Sequence, residues 1–242
     1  MTPVLLAHGA GGGIQANFAA LIDDLSIDRT VIGPDLPGSG AAPRRPEPLA
    51  LDLLADELVA AADGHDRVAI VGYSLGTALA VRAAVRHPDR VAALVLTAPF
   101  AKPTPRFTLL VKLWRELLDT DHLADFMHLV GVGAPYLDHR TPQELADSLA
   151  GAAEHVPPGT PDQLDLIDTV DIRADLAAIA VPTLVISTTH DNLVTPYHHR
   201  EVAAGIEGAR YAELASGHLP FVEAPTEWIG LVRGFLDSRD VV

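Results

Sequence analysis

Short apolar runs alternate with amphipathic stretches along this chain, so strands and helices are predicted in turn. Apolar runs stand at Pro3 to His8, Thr30 to Pro34, Val68 to Val71, Val91 to Thr97 and Pro182 to Ser187, and a last strand is expected at Ala209 to Leu214. Each is short and bounded by Gly, Pro or polar residues, which is the pattern of a buried strand. Between them Phe18, Leu21, Ile22 and Leu25 recur near helical spacing, and Leu51, Leu54, Leu58 and Val59 share one apolar face that leaves Asp52, Asp56 and Glu57 outside. A helix over Leu75 to Arg86 stops at His87-Pro88, because the residue before a proline is driven from helical geometry. Trp228, Ile229, Leu231, Val232, Phe235 and Leu236 mark a closing helix. Strands separated by helix-length segments predict an α/β fold with a mostly parallel central sheet flanked by helices.

The rhythm changes between Lys102 and Asp175. Helical patterns at Leu109 to Leu118 and Leu123 to Val130 are interrupted by Pro103, Pro105, Pro135, Pro142, Pro157, Pro158 and Pro161, with no strand among them. The expectation is a helical cap or lid at 101–175, inserted into a core formed by 1–100 and 176–242.

One junction carries chemistry. The run Val68 to Val71 meets Gly72-Tyr73-Ser74-Leu75-Gly76 and then an Ala-rich helical pattern. G-x-S-x-G between strand and helix is a nucleophile elbow: the serine sits on a strained turn whose flanks leave no room for side chains. Ser74 is then presented at the tip of the turn, with the amide of Leu75 and the start of the helix available to an oxyanion.

Composition narrows the classes of function. Seventeen Lys and Arg against 32 Asp and Glu give a net charge of −15, which argues against nucleic acid or anionic membrane as partner. The absence of Cys excludes disulfides, thiolate metal sites and a Cys nucleophile. No long uncharged apolar stretch and no export signal is visible, so a soluble, cytoplasmic protein is expected. No pattern in the chain bears on its oligomeric state.

Other residues compete for attention. The loop Gly9-Ala10-Gly11-Gly12-Gly13 lacks the spacing of a phosphate or dinucleotide site, and suits instead a backbone N–H turned toward developing negative charge. Asp35 follows a strand and is assigned to capping a turn. His122, His128, His139 and His155 are assigned to the surface or to satisfied interior positions, and Trp114, Phe126 and Met127 to the packing of the insert, with a pocket lining as the alternative.

His8-Gly9, Asp35 to Gly40, Gly72 to Gly76, His87 to Val91, Val181 to Val185, Asp191 to Pro196, Gly217-His218 and Glu223 to Pro225 occur in an order that resembles the α/β-hydrolase family with a helical cap. The resemblance covers nearly all the chain except the cap. It implies a Ser, acid, His triad in that chain order. Ser74, Asp191 and His218 fit, each just beyond a predicted strand. A serine needs an imidazole to take its proton, and the imidazole needs a carboxylate to fix its tautomer. The alternative position for the acid, one strand earlier, reads Thr97-Ala98-Pro99 and offers no carboxylate. The resemblance also implies that the oxyanion donors are the amides of Leu75 and Ala10, with Gly11 the alternative to Ala10.

Where many relatives continue the elbow with Gly this chain has Thr77, which the helix should tolerate. The small residues of the first loop predict an open mouth to the site. The function implied is hydrolysis of a carboxylic ester or thioester of a small-molecule substrate, through an acyl-enzyme on Ser74 and without metal or organic cofactor. Alternatives on the same triad are a lactonase, cyclase, acyltransferase or C–C bond hydrolase. Halide-dependent perhydrolysis is a conceivable side reaction, and a non-enzymatic ligand-binding protein also occurs on this fold.

Overall fold

A computed structural model describes residues 1–153, 156–238 and 241. In chain order it contains β1 (Val4–Ala7), α1 (Ile14–Leu25), β2 (Val31–Ile32), α2 (Leu51–Ala60), β3 (Val68–Tyr73), α3 (Leu75–Arg86) and β4 (Val91–Thr97). Then come α4 (Pro105–Leu117), α5 (Leu123–Gly131), α6 (Ala134–Leu137), α7 (Pro142–Ala153), α8 (Thr160–Thr169) and α9 (Arg173–Leu176). The chain returns to the sheet with β5 (Thr183–Thr188), α10 (Pro196–Gly205), β6 (Arg210–Leu214), α11 (Pro220–Glu223) and α12 (Pro225–Leu236).

The six strands form one sheet in the order β2-β1-β3-β4-β5-β6, and every pair is parallel. This is the expected architecture. Alternate residues of the strands feed two separate cores. Leu5, Ile70, Leu94, Leu96 and Val185 pack on one face with α2 and α3. Val4, Leu6, Ala69, Val71, Val95 and Ile186 pack on the other with Phe18 and Leu21 of α1 and Trp228 and Phe235 of α12. Burial on both faces explains why the inner strands β1, β3, β4 and β5 read as unbroken apolar runs, whereas the edge strand β6 carries the exposed Arg210 and Glu213.

Two local expectations are corrected. The Thr30 to Pro34 strand shortens to Val31–Ile32, because Gly33 and Pro34 leave the ladder at this edge of the sheet. The prolines of the insert mostly begin helices rather than interrupt them. Pro105, Pro135, Pro142 and Pro161 stand in the first turns of α4, α6, α7 and α8, where a missing N–H costs nothing and a fixed φ is already helical. The α4 helix accordingly starts four residues before Leu109, with Thr104 capping it through the Phe107 amide.

The insert leaves the sheet after β4 and re-enters at β5, two neighbouring strands. Phe107, Val111, Leu123, Phe126, Leu164 and Ile167 bury its inner surface against the same core that α3 packs on. Among the described residues no helix is long and apolar enough to cross a membrane.

Candidate active site

The carboxyl ends of β1, β3, β5 and β6 converge beneath the inserted helices. The elbow comes first. Ser74 has φ 51 and ψ −120, in the region that L residues avoid, and it is held there from both sides. A Cβ on Gly76 would lie 1.9 Å from the carbonyl oxygen of Ala7, and one on Gly72 would lie 2.8 Å from that of Gly76. The crowding inferred from the pentapeptide is therefore real. Thr77 is accommodated by donating its hydroxyl to the Ser74 carbonyl at 2.6 Å.

Ser74, His218 and Asp191 form one hydrogen-bonded row. The Asp191 carboxylate only accepts, so His218 Nδ1–H donates to its Oδ2 at 2.6 Å. His218 Nε2 then carries the lone pair and accepts from the Ser74 hydroxyl at 3.0 Å. Asp191 is fully enclosed: Oδ1 accepts from the amides of Leu193 and Val194, both at 2.9 Å, and Oδ2 also accepts from the Thr188 hydroxyl at 3.0 Å. The His218 loop is fixed at its carbonyl by the Tyr73 hydroxyl at 2.8 Å. Burial pushes that hydroxyl well above its ordinary pKa, which keeps it a donor.

The first loop folds back over the elbow. His8 is buried, and burial lowers its pKa, so the ring is neutral: Nδ1–H donates to the Gly9 carbonyl at 2.8 Å and Nε2 accepts the Leu36 amide at 2.8 Å. It ties the first loop to the loop after β2. Asp35 has a structural role, but at a helix rather than in the turn expected for it: it accepts the Ile14 amide at 2.8 Å at the start of α1. Asn17 accepts the Gly9 amide at 3.1 Å. Gln163, fully buried on α8, accepts the Gly11 amide at 2.9 Å and donates to Ser39 Oγ at 2.9 Å. Sequence reasoning missed Asn17 and Gln163. Each is a polar residue on the apolar face of its helix, beside Ile14 and Leu21 or Leu166 and Ile167, and that mismatch was the available signal.

The expected open mouth is not found. Trp114 of α4 occupies the space that the small loop residues leave: a Cβ on Gly11 would lie 2.8 Å from the indole. A cavity of about 100 Å³ remains beside Ser74, lined by Ala10, Asn17, Phe107, Trp114, Met127 and Leu193. A second chamber of about 170 Å³ lies on the far side of Trp114 and Met127, toward Leu123 and Thr160. Phe126 lines neither and packs in the core. A larger, open concavity of about 590 Å³ lies at the amino ends of the strands around Met1, His65 and Arg67, remote from Ser74.

Four further histidines have their surroundings defined. His128 is satisfied by the Ala124 carbonyl and Ser148 hydroxyl, each at 2.8 Å, while His122 and His139 are exposed; His155 lies outside the described residues. His199 is buried behind the acid, its Nε2 3.9 Å from Asp191 Oδ2 and its Nδ1 3.0 Å from Ser187 Oγ. Burial lowers its pKa to about 4. Among the described residues no cluster of three or more His, Asp or Glu is placed to hold a metal ion.

The sequence pattern of the alpha/beta hydrolase fold matches residues 2–225. The chain belongs to the alpha/beta hydrolase fold family. It is 32% identical, over 98% of its length and 92% of the relative's, to a pyrrolizixenacetamide deacetylase of Xenorhabdus hominickii. It is 29% identical to a pimeloyl-(acyl-carrier protein) methyl ester esterase of Neisseria meningitidis, covering 97% of this chain and 93% of that one. The structure superposes on the enol-lactonase of Burkholderia xenovorans with a TM-score of 0.86 at 28% identity, over 98% of this hydrolase and 92% of the lactonase. Proteins similar to this hydrolase along nearly their whole length thus include a deacetylase, an esterase and a lactonase.

Proposed function

We propose that this hydrolase cleaves a carboxylic ester or thioester of a small molecule through an acyl-enzyme on Ser74. The observation that carries the reading is the row Ser74, His218, Asp191, with its tautomer set by the carboxylate. Ser74 Oγ attacks the carbonyl carbon while His218 Nε2 takes its proton, and Asp191 supports the imidazolium. His218 then protonates the leaving oxygen or sulfur. Water, deprotonated by the same imidazole, releases the acid and restores Ser74.

The amides of Leu75 and Ala10 are the proposed oxyanion donors. Leu75 opens α3, so its N–H has no partner within the helix. Ala10 N–H has no acceptor among the described residues, whereas the Gly11 amide is taken by Gln163. That favours Ala10 over Gly11.

The inserted helices, 101–175, act as the cap in this reading, and they set the substrate. A cavity of about 100 Å³ beside the nucleophile suits a short acyl group, since liquid water occupies about 30 Å³ per molecule. The insert carries six Lys and Arg against thirteen Asp and Glu. An acyl group tethered to an anionic macromolecule would be repelled by that surface, which favours a free, uncharged or cationic substrate.

A second reading is opening of a lactone by the same two steps, the leaving oxygen staying attached to the acyl chain. The likeness to the enol-lactonase favours it. Fluorophosphonate labelling of wild type and Ser74→Ala, read by intact mass, tests the nucleophile, and a panel of short and long esters, a lactone and an acetamide tests the class. A single adduct lost in the variant is expected. No adduct on the wild type, where a control serine hydrolase is labelled, would overturn the mechanism and turn attention to ligand binding without turnover.

A further inference from the structure

The loop that carries His218 is fastened to the linker between α5 and α6. The His218 amide donates to the Gly131 carbonyl at 2.7 Å. One carboxylate oxygen, Glu223 Oε2, accepts from Gly217 on the His218 side at 2.8 Å and from Gly133 on the insert side at 3.1 Å. Glu223 Oε1 is buried with no partner among the described residues. Burial, with a smaller push from the Asp191 charge, also raises the Glu223 carboxyl above its ordinary pKa, and the amides of Gly217, Gly133 and Leu219 act against that shift.

The two glycines have no backbone reason to be glycine. Gly133 has φ −66 and ψ 135, which any residue adopts. A Cβ there would lie 2.9 Å from Glu223 Oε2 and 2.9 Å from the Gly217 nitrogen, and a Cβ on Gly217 would lie 2.2 Å from the Gly133 nitrogen. The residues are small because two backbones meet, and they meet where a single carboxylate bridges their amides.

We propose that Glu223 is a positioning residue for the base, clamping the His218 loop to the Gly131–Gly133 linker so that His218 is aligned only while the insert is docked. The inference rests on the reading of Ser74 and His218 as the reacting pair. Glu223 touches neither Ser74 nor His218 through a side-chain hydrogen bond, and it does not line the cavity beside Ser74. It acts through the two amides. In this account the insert does more than cover the substrate: a movement that lifts the α5–α6 linker also unseats the imidazole, and turnover is coupled to closure.

The test compares wild type, Glu223→Ala, Glu223→Gln, Gly133→Ala and the double variant of Glu223→Ala with Gly133→Ala. Steady-state rates on a short ester, the rate of fluorophosphonate labelling and thermal midpoints are measured on each. Glu223→Ala and Gly133→Ala should each lower kcat and the labelling rate by about tenfold to hundredfold, the scale on which small misplacement of a catalytic group acts. KM should stay within about twofold, because neither residue lines the cavity. Glu223→Gln keeps an oxygen acceptor and should return to within about threefold of wild type. The double variant should lose no more than the worse single one, since both break one clamp. Wild-type labelling rates and kcat in both single variants would overturn the clamp while leaving the Ser74 mechanism standing. Parallel losses in kcat and thermal midpoint that Gln does not rescue would reduce Glu223 to a structural role. Failure of the wild type to label or turn over would sink the underlying reading instead.

Discussion

Replacing Gln163 by leucine separates what the inserted helices do for the fold from what they do for the chemistry. Leucine fills a similar volume in a fully buried position but returns none of the hydrogen bonds, the long one to the Pro37 carbonyl at 3.4 Å included. The Gly11 amide loses its acceptor at 2.9 Å and the Ser39 hydroxyl its donor at 2.9 Å. A buried polar group left unpaired costs about 1–3 kcal/mol, and the Ser39 hydroxyl can rotate to relieve part of its share, so a total of about 2–3 kcal/mol is expected. In a chain of this length that lowers the thermal midpoint by about 4–12 °C. The kinetic effect comes by a different route. Gly11 holds φ +68 with its amide pinned to Gln163, and its neighbour Ala10 supplies the proposed oxyanion donor. Losing such a donor outright costs about 10²–10³ in kcat, so a loosened loop should cost about tenfold to hundredfold. Differential scanning calorimetry gives the midpoint, and kcat on p-nitrophenyl acetate, taken below both midpoints, keeps unfolding out of the comparison. A midpoint that falls as expected with kcat unchanged would refute the kinetic half, leaving Gln163 as a fold contact. An unchanged midpoint would refute the hydrogen-bond argument itself.

Asp191→Asn should lower kcat by about 10⁴ with KM nearly unchanged, because the amide favours the wrong imidazole tautomer; a loss of less than about tenfold would remove Asp191 from the mechanism. Trp114→Ala should join the chambers of about 100 and about 170 Å³ and raise kcat/KM for longer acyl esters relative to acetate, read from an ester series; an unaltered chain-length preference would show that Trp114 does not bound the acyl group. Stability should fall in acid partly through His199. Its folded pKa of about 4 lies below its ordinary 6.5, so the unfolded chain binds a proton that the folded chain refuses. The loss runs from about pH 6.5 down to about pH 4 and reaches about 3 kcal/mol. His199→Gln should therefore lose less stability than wild type between pH 7 and 4.5 in urea melts, and equal losses would rule the assignment out.

The sheet was legible because its four inner strands are buried on both faces and announce themselves as apolar runs, Val91–Thr97 most clearly. The elbow was legible for a steric reason: Gly72 and Gly76 are forced by backbone contacts that lie within a few residues of Ser74 or against the adjoining strand β1. The insert was only half legible. Its prolines look like breaks in a linear reading, and only position within the first turn tells a start from an interruption. Gln163 showed only as a polar residue on an apolar helix face and Glu223 only as part of the stretch that follows His218; what they hold was hidden, because Gly11 lies 152 residues from Gln163 and Gly133 lies 90 from Glu223. No local pattern encodes such a pairing. The open mouth expected from Ala10 to Gly13 failed on the same ground, since Trp114 fills that space from another element.

Because the insert departs from β4 and re-enters at β5, which lie side by side, its ends are close and the strand order does not depend on it. A unit joined in that way resembles an interchangeable module, and exchanging it is an obvious route to new substrates in natural variation or in the laboratory. Its couplings limit that freedom. Gln163 travels with the module but holds the first loop, while Gly131 and Gly133 travel with it but hold the loop of His218. A transplanted cap would have to bring a side-chain acceptor and a glycine-lined turn of its own, matched to the recipient, or the new pocket would arrive with its machinery out of register.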